Sequence, residues 1–200
     1  MAGERIPTTA RGEATRRKLL DAAEWEFGSK GFHGASVSTI TARARIGQGT
    51  FYLYFRSKKA LFSVLVRELG QTLRRHLADG VVRDGDRIRA ERRGLENFLR
   101  FTLKHPGVYR IVQEAQFVDE LAFRDYYERL AQGYAALLTR AAERGELAPG
   151  RGEERAWAIM GIGHFLGLRH LWRRSGTERR RLDETMDFIA HGMAPRKRRK

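Results

Sequence analysis

Apolar residues recur at helical spacing along nearly the whole chain, and no segment alternates apolar and polar positions between hairpin turns. From Thr15, the positions Leu19, Ala22, Ala23 and Phe27 share one helical face, with Gly28 and Gly31 as the expected stop. Ser36 is placed to cap a short helix carrying Val37, Ile40 and Ala44. A turn follows at Arg45-Ile46-Gly47, and a second short helix runs from Gln48 to Phe55. Ser57 caps a long helix whose apolar stripe is Ala60, Leu61, Val64, Leu65, Leu69 and Leu73. That helix fades at Asp79-Gly80 and the polar loop Arg83-Asp84-Gly85-Asp86. Further helices are expected over 87–104, after Pro106, and over about 119–144, 153–174 and 179–192. Gly145, Pro149-Gly150-Arg151-Gly152 and Ser175-Gly176 punctuate them. The pattern predicts an all-α fold.

Composition narrows the class. With no cysteine among its 200 residues, the chain offers no disulfide framework, thiolate metal site or cysteine nucleophile. No run of about 18 apolar residues is present. The first twenty residues are polar and charged, so a secretory signal is not expected and a cytoplasmic protein is. The net charge of +15 is unevenly spread: residues 1–60 carry 11 Lys+Arg against 5 Asp+Glu, residues 61–194 carry 23 against 19, and the last six residues add five cations. Between Glu26 and Glu68 there is no acid, while Lys30, Arg43, Arg45, Arg56, Lys58 and Lys59 fall there. Such a stretch suits either a surface facing phosphate or a solvated basic face.

Two short helices joined by a tight turn and braced by a longer one form a unit that can lay its second helix in a DNA major groove. That groove is about 12 Å wide and admits one helix, so the second helix must be slim and polar outside. In Gln48-Gly49-Thr50-Phe51-Tyr52-Leu53-Tyr54-Phe55, Phe51 and Phe55 lie four apart and can anchor one face, leaving Gln48, Thr50, Tyr52 and Tyr54 to offer amide and hydroxyl groups. From Thr15 to about Leu61, the helix LLDAAEWEF, Gly31-Phe32, Ser36-Val37 with Ile40, and GTFYLYFRSKKAL from Gly49 resemble the tetracycline-repressor (TetR) family. The resemblance implies that Gln48, Gly49 and Thr50 lie near base edges, and that Tyr52 and Tyr54 bond phosphates or sugars. It also implies phosphate contacts from Ser36 and Lys58, and helix N-termini do attract anions. The chain departs from the family at Arg45, where a glycine is usual, at Gly47 and Gln48, where a serine and a basic residue are usual, and at Leu53.

The expected organisation is a flexible arm over 1–12, a helix-turn-helix DNA-binding domain over 13–60, a ligand-binding and dimerisation helical domain over 61–194, and a disordered basic tail over 195–200. Three glycines within the 153–174 helix, Gly161, Gly163 and Gly167, mark a close approach, either to a second subunit or within the chain. For an effector pocket inside the bundle, Phe101, Tyr109, Gln113, Tyr127, Trp157 and His164 are the candidates, with Gln113 and His164 as polar groups among apolar neighbours. The six histidines show no metal-ligand spacing, and no catalytic motif is present, so neither metal, cofactor nor enzymatic activity is expected. The expected function is a homodimer, paired through the last two helices, that binds a palindromic operator in double-stranded DNA and is released by a small apolar or aromatic effector. The alternatives are a ligand-independent regulator or activator, and a nonspecific basic nucleic-acid-binding or architectural protein.

Overall fold

Thr9 opens the first helix by accepting the Gly12 N–H on its side-chain oxygen at 3.1 Å. In the computed structural model, which describes residues 9–78, 86–172 and 178–193, the elements are α1 (Ala10–Gly34), α2 (Val37–Ala44), α3 (Gln48–Tyr54), α4 (Lys58–Ala78), α5 (Arg87–Lys104), α6 (Val108–Val118), α7 (Glu120–Glu143), α8 (Gly152–Trp172) and α9 (Glu178–Met193). Every described element is helical, as the spacing predicts. The expected arm is shorter than 1–12, because residues 10–12 are already helical and Gly12 is buried. Residues 1–8, the basic tail and the Ser175-Gly176 boundary lie outside the described residues.

Two units make up the chain, Met1–Gln71 with Pro106–Tyr126, and Thr72–His105 with Tyr127–Lys200. The first has a core of Leu19, Leu20, Ala23 and Phe27 from α1, Ile40 from α2, Phe51 and Phe55, and Leu61, Phe62, Leu65 and Val66 from α4. Phe27 and Phe62 meet edge to face at 5.1 Å, and Phe32 meets Phe62 at the same separation. Burying each such side chain contributes about 1.5–3 kcal/mol.

Residues 106–126, expected with the later helices, belong to this unit instead. The reason is a pair of glycines. A Cβ on Gly28 would stand 2.8 Å from the Gly107 Cα, and one on Gly107 would stand 2.7 Å from the Gly28 Cα. Gly28 is therefore no helix stop; α1 continues through it, and the missing side chain lets another stretch of backbone touch the helix. Arg110 Nη1 donates to the Ser29 carbonyl at 2.6 Å, and Ser63 Oγ donates to Asp119 Oδ2 at 2.5 Å. The break in α1 comes at Gly31, with φ 78° and ψ 170°, where glycine is the residue that avoids strain.

The second unit packs Leu95, Leu138, Ala141, Leu147, Ala156, Ile159, Leu182, Met186, Ile189 and Met193 from α5, α7, α8, α9 and the α7–α8 connection into one cluster. Gly145, at φ 75°, ends α7, and the Ala148 N–H donates to the Met193 carbonyl at 2.9 Å. Arg87 and Glu91 form a buried ion pair, and the Tyr134 hydroxyl donates to Glu91. Of the α8 glycines, Gly163 lies against Leu95 and Phe98 of its own chain, Gly167 is also buried within it, and Gly161 faces open space. A Cβ on Gly163 would meet Leu95 Cδ1 at 3.4 Å, an ordinary van der Waals contact, so packing within this unit does not by itself require a glycine there. Phe165, Trp172 and Phe188 are 71%, 74% and 73% exposed on α8 and α9. A cavity of ≈ 450 Å³ opens there, lined by Ile162, Phe165, Leu166, Arg169, Arg181, Glu184, Thr185 and Phe188.

Candidate nucleic-acid interface

The helix-turn-helix is built by caps and one strained residue. Ser36 Oγ accepts the Thr39 N–H at 3.1 Å while Thr39 Oγ1 accepts the Ser36 N–H at 3.2 Å, a reciprocal box that starts α2. The turn between α2 and α3 is made by Arg45 in the left-handed conformation, φ 56° and ψ 45°, with Ile46 N–H returning to the Thr41 carbonyl at 3.0 Å. The departure from glycine therefore leaves the turn shape intact and puts strain on Arg45. A left-handed backbone costs an L-residue roughly 1–2 kcal/mol, partly offset by the greater chain entropy glycine loses. Arg45→Gly should accordingly raise the urea midpoint, corresponding to about 0.5–1 kcal/mol; an unchanged or lower midpoint would show that the turn is relaxed as it stands.

Gly47 precedes α3 without a side-chain cap. Phe51 and Phe55 are buried at 0% and 2% exposure, fixing the inner face as the spacing predicts. The outer face holds Gln48 and Gly49, both exposed, with Tyr52 at 57% and Leu53 at 55%. Thr50 and Tyr54 are half-buried beside them. A Cβ on Gly49 would meet nothing within 4 Å, so the surface there is flat and open. Ser36 is exposed at the start of α2. Ser57 Oγ accepts the Ala60 N–H at 3.1 Å at the start of α4.

Lys58 is placed differently from a free surface cation. Its ammonium donates to the Phe32 and Ala35 carbonyls, each at 2.7 Å, and lies 4.4 Å from the centre of the Phe32 ring. Burial pulls it below the ordinary lysine value. Two other cations of the acid-free stretch are also engaged. Glu26, 2% exposed, binds Lys30 at 2.7 Å and Arg43 at 2.8 Å, and the Arg43 guanidinium stacks over Trp25. Arg45, Arg56 and Lys59 remain exposed. The number of cations presented outward is thus smaller than the sequence count suggests.

Burial alone would raise the Glu26 carboxyl, but hydrogen bonds from Lys30, Arg43 and Thr39 outweigh it and hold the group below its usual 4.5. A depressed folded-state value gives stability that is complete above the unfolded value and lost as pH falls through the folded one. Lys30 and Arg43 are 42% and 38% exposed, so solvent discounts each bridge. Glu26→Gln should therefore cost about 1–2 kcal/mol at neutral pH, with the deficit shrinking as both proteins are titrated below about pH 4.5. Thermal melts at pH 7, 5, 4 and 3 check this; a deficit that stays constant to pH 3 would contradict it. The Glu26–Lys30 spacing of four was readable in the sequence, whereas the partner Arg43 and the Trp25 stack depend on how α2 crosses α1.

The expected effector residues fall in both units. Tyr109 and Gln113 belong to the first and Phe101, Tyr127, Trp157 and His164 to the second. Gln113 is exposed on α6, so it is not a polar group among apolar neighbours. In the second unit, Phe101 stacks on His105 at 4.6 Å, and the Tyr127 and Trp157 rings lie 6.4 Å apart. Burial raises the Tyr127 hydroxyl and lowers His164. Among the described residues, no helix is long and apolar enough to cross a membrane.

Capped α2, the tight turn, α3 with its polar outer face and the bracing α1 and α4 define a helix-turn-helix protein with a further helical unit. Residues 19–65 match the model of the bacterial regulatory proteins of the tetR family. The chain is 42% identical over 66 residues to the uncharacterized HTH-type transcriptional regulator YdgC of Bacillus subtilis, a match spanning 33% of this chain and 34% of that protein. It is 31% identical over 139 residues to the HTH-type transcriptional regulator EthR of Mycolicibacterium smegmatis, spanning 67% of this chain and 64% of that one. It thus spans less than two thirds of the length of either relative. A TetR family transcription regulator from Marinobacter aquaeolei shares the fold with a TM-score of 0.73 at 19% identity, over 93% of this chain and 98% of that one. The chain is of the TetR type, with the family's helix-turn-helix in its N-terminal unit.

Proposed function

We propose that the chain is a homodimeric, sequence-specific DNA-binding regulator of transcription, a repressor released from its operator by a small apolar or aromatic effector. The observation that carries this reading is the outer face of α3. There Gln48, Gly49, Thr50, Tyr52 and Tyr54 stand on a helix whose inner face is locked by Phe51 and Phe55, in a stretch without acid between Glu26 and Glu68. Gln48 and Thr50 carry the amide and hydroxyl that read base edges, and Gly49 leaves room for the groove wall. Tyr52, Tyr54 and Ser36 supply hydroxyls for phosphate or sugar, which fix the register.

A second copy is needed because helix-turn-helix readers address two half-sites about 34–36 Å apart. The exposed Phe165, Trp172 and Phe188 support pairing through α8 and α9, since aromatic side chains of this size lose stabilisation when left in water. The Tyr127–Trp157 pair and Phe101 favour an effector with an apolar or aromatic body in the second unit. α4, continuous from Lys58 to Ala78, is the covalent link by which an effector would act on the reading head, provided it prefers the conformation with the wrong half-site spacing. The cytoplasm is the compartment such a regulator requires.

Selection from random duplexes with the purified full chain tests the reading. It should enrich a two-fold symmetric sequence, which then serves as the operator. Recovery of unrelated sequences after repeated rounds would leave charge as the whole basis of binding and count against a repressor.

A further inference from the structure

Both backbone polar groups of one residue, Phe32, at the corner between α1 and α2, are held by charged side chains from elsewhere in the first unit. The Phe32 N–H donates to Glu114 Oε2 of α6 at 2.5 Å. The Phe32 carbonyl accepts from Lys58 Nζ of α4 at 2.7 Å, and the same ammonium takes the Ala35 carbonyl at 2.7 Å. Gly31, immediately before, has φ 78°, and a Cβ there would stand 2.5 Å from Glu114 Oε1 and 2.9 Å from Arg110 Nη2. The five residues from Gly31 to Ala35 are the whole connection to Ser36, the cap of α2, and so carry the α2–α3 pair.

We propose that Lys58 and Glu114 are positioning residues for operator reading: they grip this corner from two sides and set where α3 presents Gln48 and Thr50. The inference rests on the DNA-binding reading above and reassigns Lys58 within it, from a charge spent on phosphate to one spent on the protein's own backbone. The chemistry suits the place. An ammonium at the carbonyl-rich end of a helix sits where the helix dipole is negative, and the Phe32 ring face adds further attraction. Glu114, also 3.3 Å from Arg110, answers from the opposite side as an acceptor for the Phe32 N–H just past the break in α1. Phe32 is further fixed by its ring contacts with Phe27 and Phe62, so displacing the corner would disturb the core of the first unit.

The two roles for Lys58 separate in salt dependence. A residue that neutralises a phosphate contributes about 0.9 to the slope of log affinity against log salt, on any duplex. A positioning residue contributes nothing to that slope and acts on the operator alone. Affinities of the full chain for the selected operator and for a scrambled duplex are to be measured from 50 to 300 mM potassium chloride, for wild type, Lys58→Met, Glu114→Ala and Glu114→Gln. Lys58→Met and Glu114→Ala are each expected to weaken operator binding about tenfold or more, scrambled binding less than about threefold, and to keep the wild-type slopes. Glu114→Gln, which retains an amide oxygen for the Phe32 N–H, is expected to recover most of the loss. A slope lower by about one unit for Lys58→Met on both duplexes would overturn the proposal. If Lys58→Met does not fold, by its circular dichroism and melt, the Glu114 pair decides: wild-type operator affinity in Glu114→Ala would overturn it equally. Wild type failing to separate operator from scramble would be a different result, the failure of the DNA-reading assignment itself.

Discussion

Gly28→Val should destabilise the first unit by about 3 kcal/mol, the upper part of the range for overpacking a filled interior. A Cβ at Gly28 would meet the Gly107 Cα at 2.8 Å, a main-chain atom that cannot rotate away as a side chain would. The substitution therefore has to push apart the backbones of α1 and the residue preceding α6, straining the Arg110–Ser29 and Glu114–Phe32 bonds beside it. Helix propensity works the other way, favouring most residues over glycine by up to about 1 kcal/mol. Gly133→Ala isolates that term, because nothing lies within 4 Å of its added carbon on α7. Urea unfolding of both variants should show one midpoint well below wild type and the other at or slightly above it. Equal midpoints would mean that the glycine contact is loose and that the buried apolar face of α6 and the polar links hold residues 106–126 without it.

Replacing both Gln48 and Thr50 with alanine should cut sequence discrimination about a hundredfold while leaving the fold unchanged. Gln48 is exposed and Thr50 half-buried on α3, whose position depends on Phe51 and Phe55 rather than on them. A good side-chain contact to a base edge contributes about 1–3 kcal/mol of discrimination, so the double change should lower operator affinity by about two orders of magnitude. Binding to scrambled duplex, carried by phosphate contacts, should barely move. The pair Tyr52→Phe and Tyr54→Phe should instead weaken both duplexes together, because phosphate and sugar contacts hold no sequence information. Fluorescence anisotropy with the four protein–duplex combinations separates the two patterns; uniform weakening by the Gln48 and Thr50 changes would remove them from base reading.

The parts of the fold legible in the sequence are those with local causes. Ser36 and Ser57 cap their helices through atoms three residues away, and the span expected for α5, 87–104, is the one observed. The buried face of α3 follows from the spacing of Phe51 and Phe55. What the sequence did not reveal depends on partners far along the chain. Gly28 reads locally as a helix stop, and only Gly107, 79 positions later, shows it to be a contact point. Arg45 shows that a cation can occupy a left-handed turn where glycine is usual, a choice that spacing alone cannot resolve. Gln113 lies in an apolar stretch of sequence yet faces solvent on α6, while Val112 and Ala115 turn inward. Charge counting misleads in the same way: Lys30, Arg43 and Lys58 look like three phosphate-facing cations, yet all three are bound within the first unit.

The most direct test of the central claim, that α3 reads sequence in double-stranded DNA, is the ratio of affinities of wild-type protein for the selected operator and its scramble at one salt concentration near 150 mM. The account predicts an operator bound at least about a thousandfold more tightly, the lower end of the range for specific readers. Equal affinities, falling together and steeply as salt rises, would contradict it and leave a basic surface that holds any duplex alike.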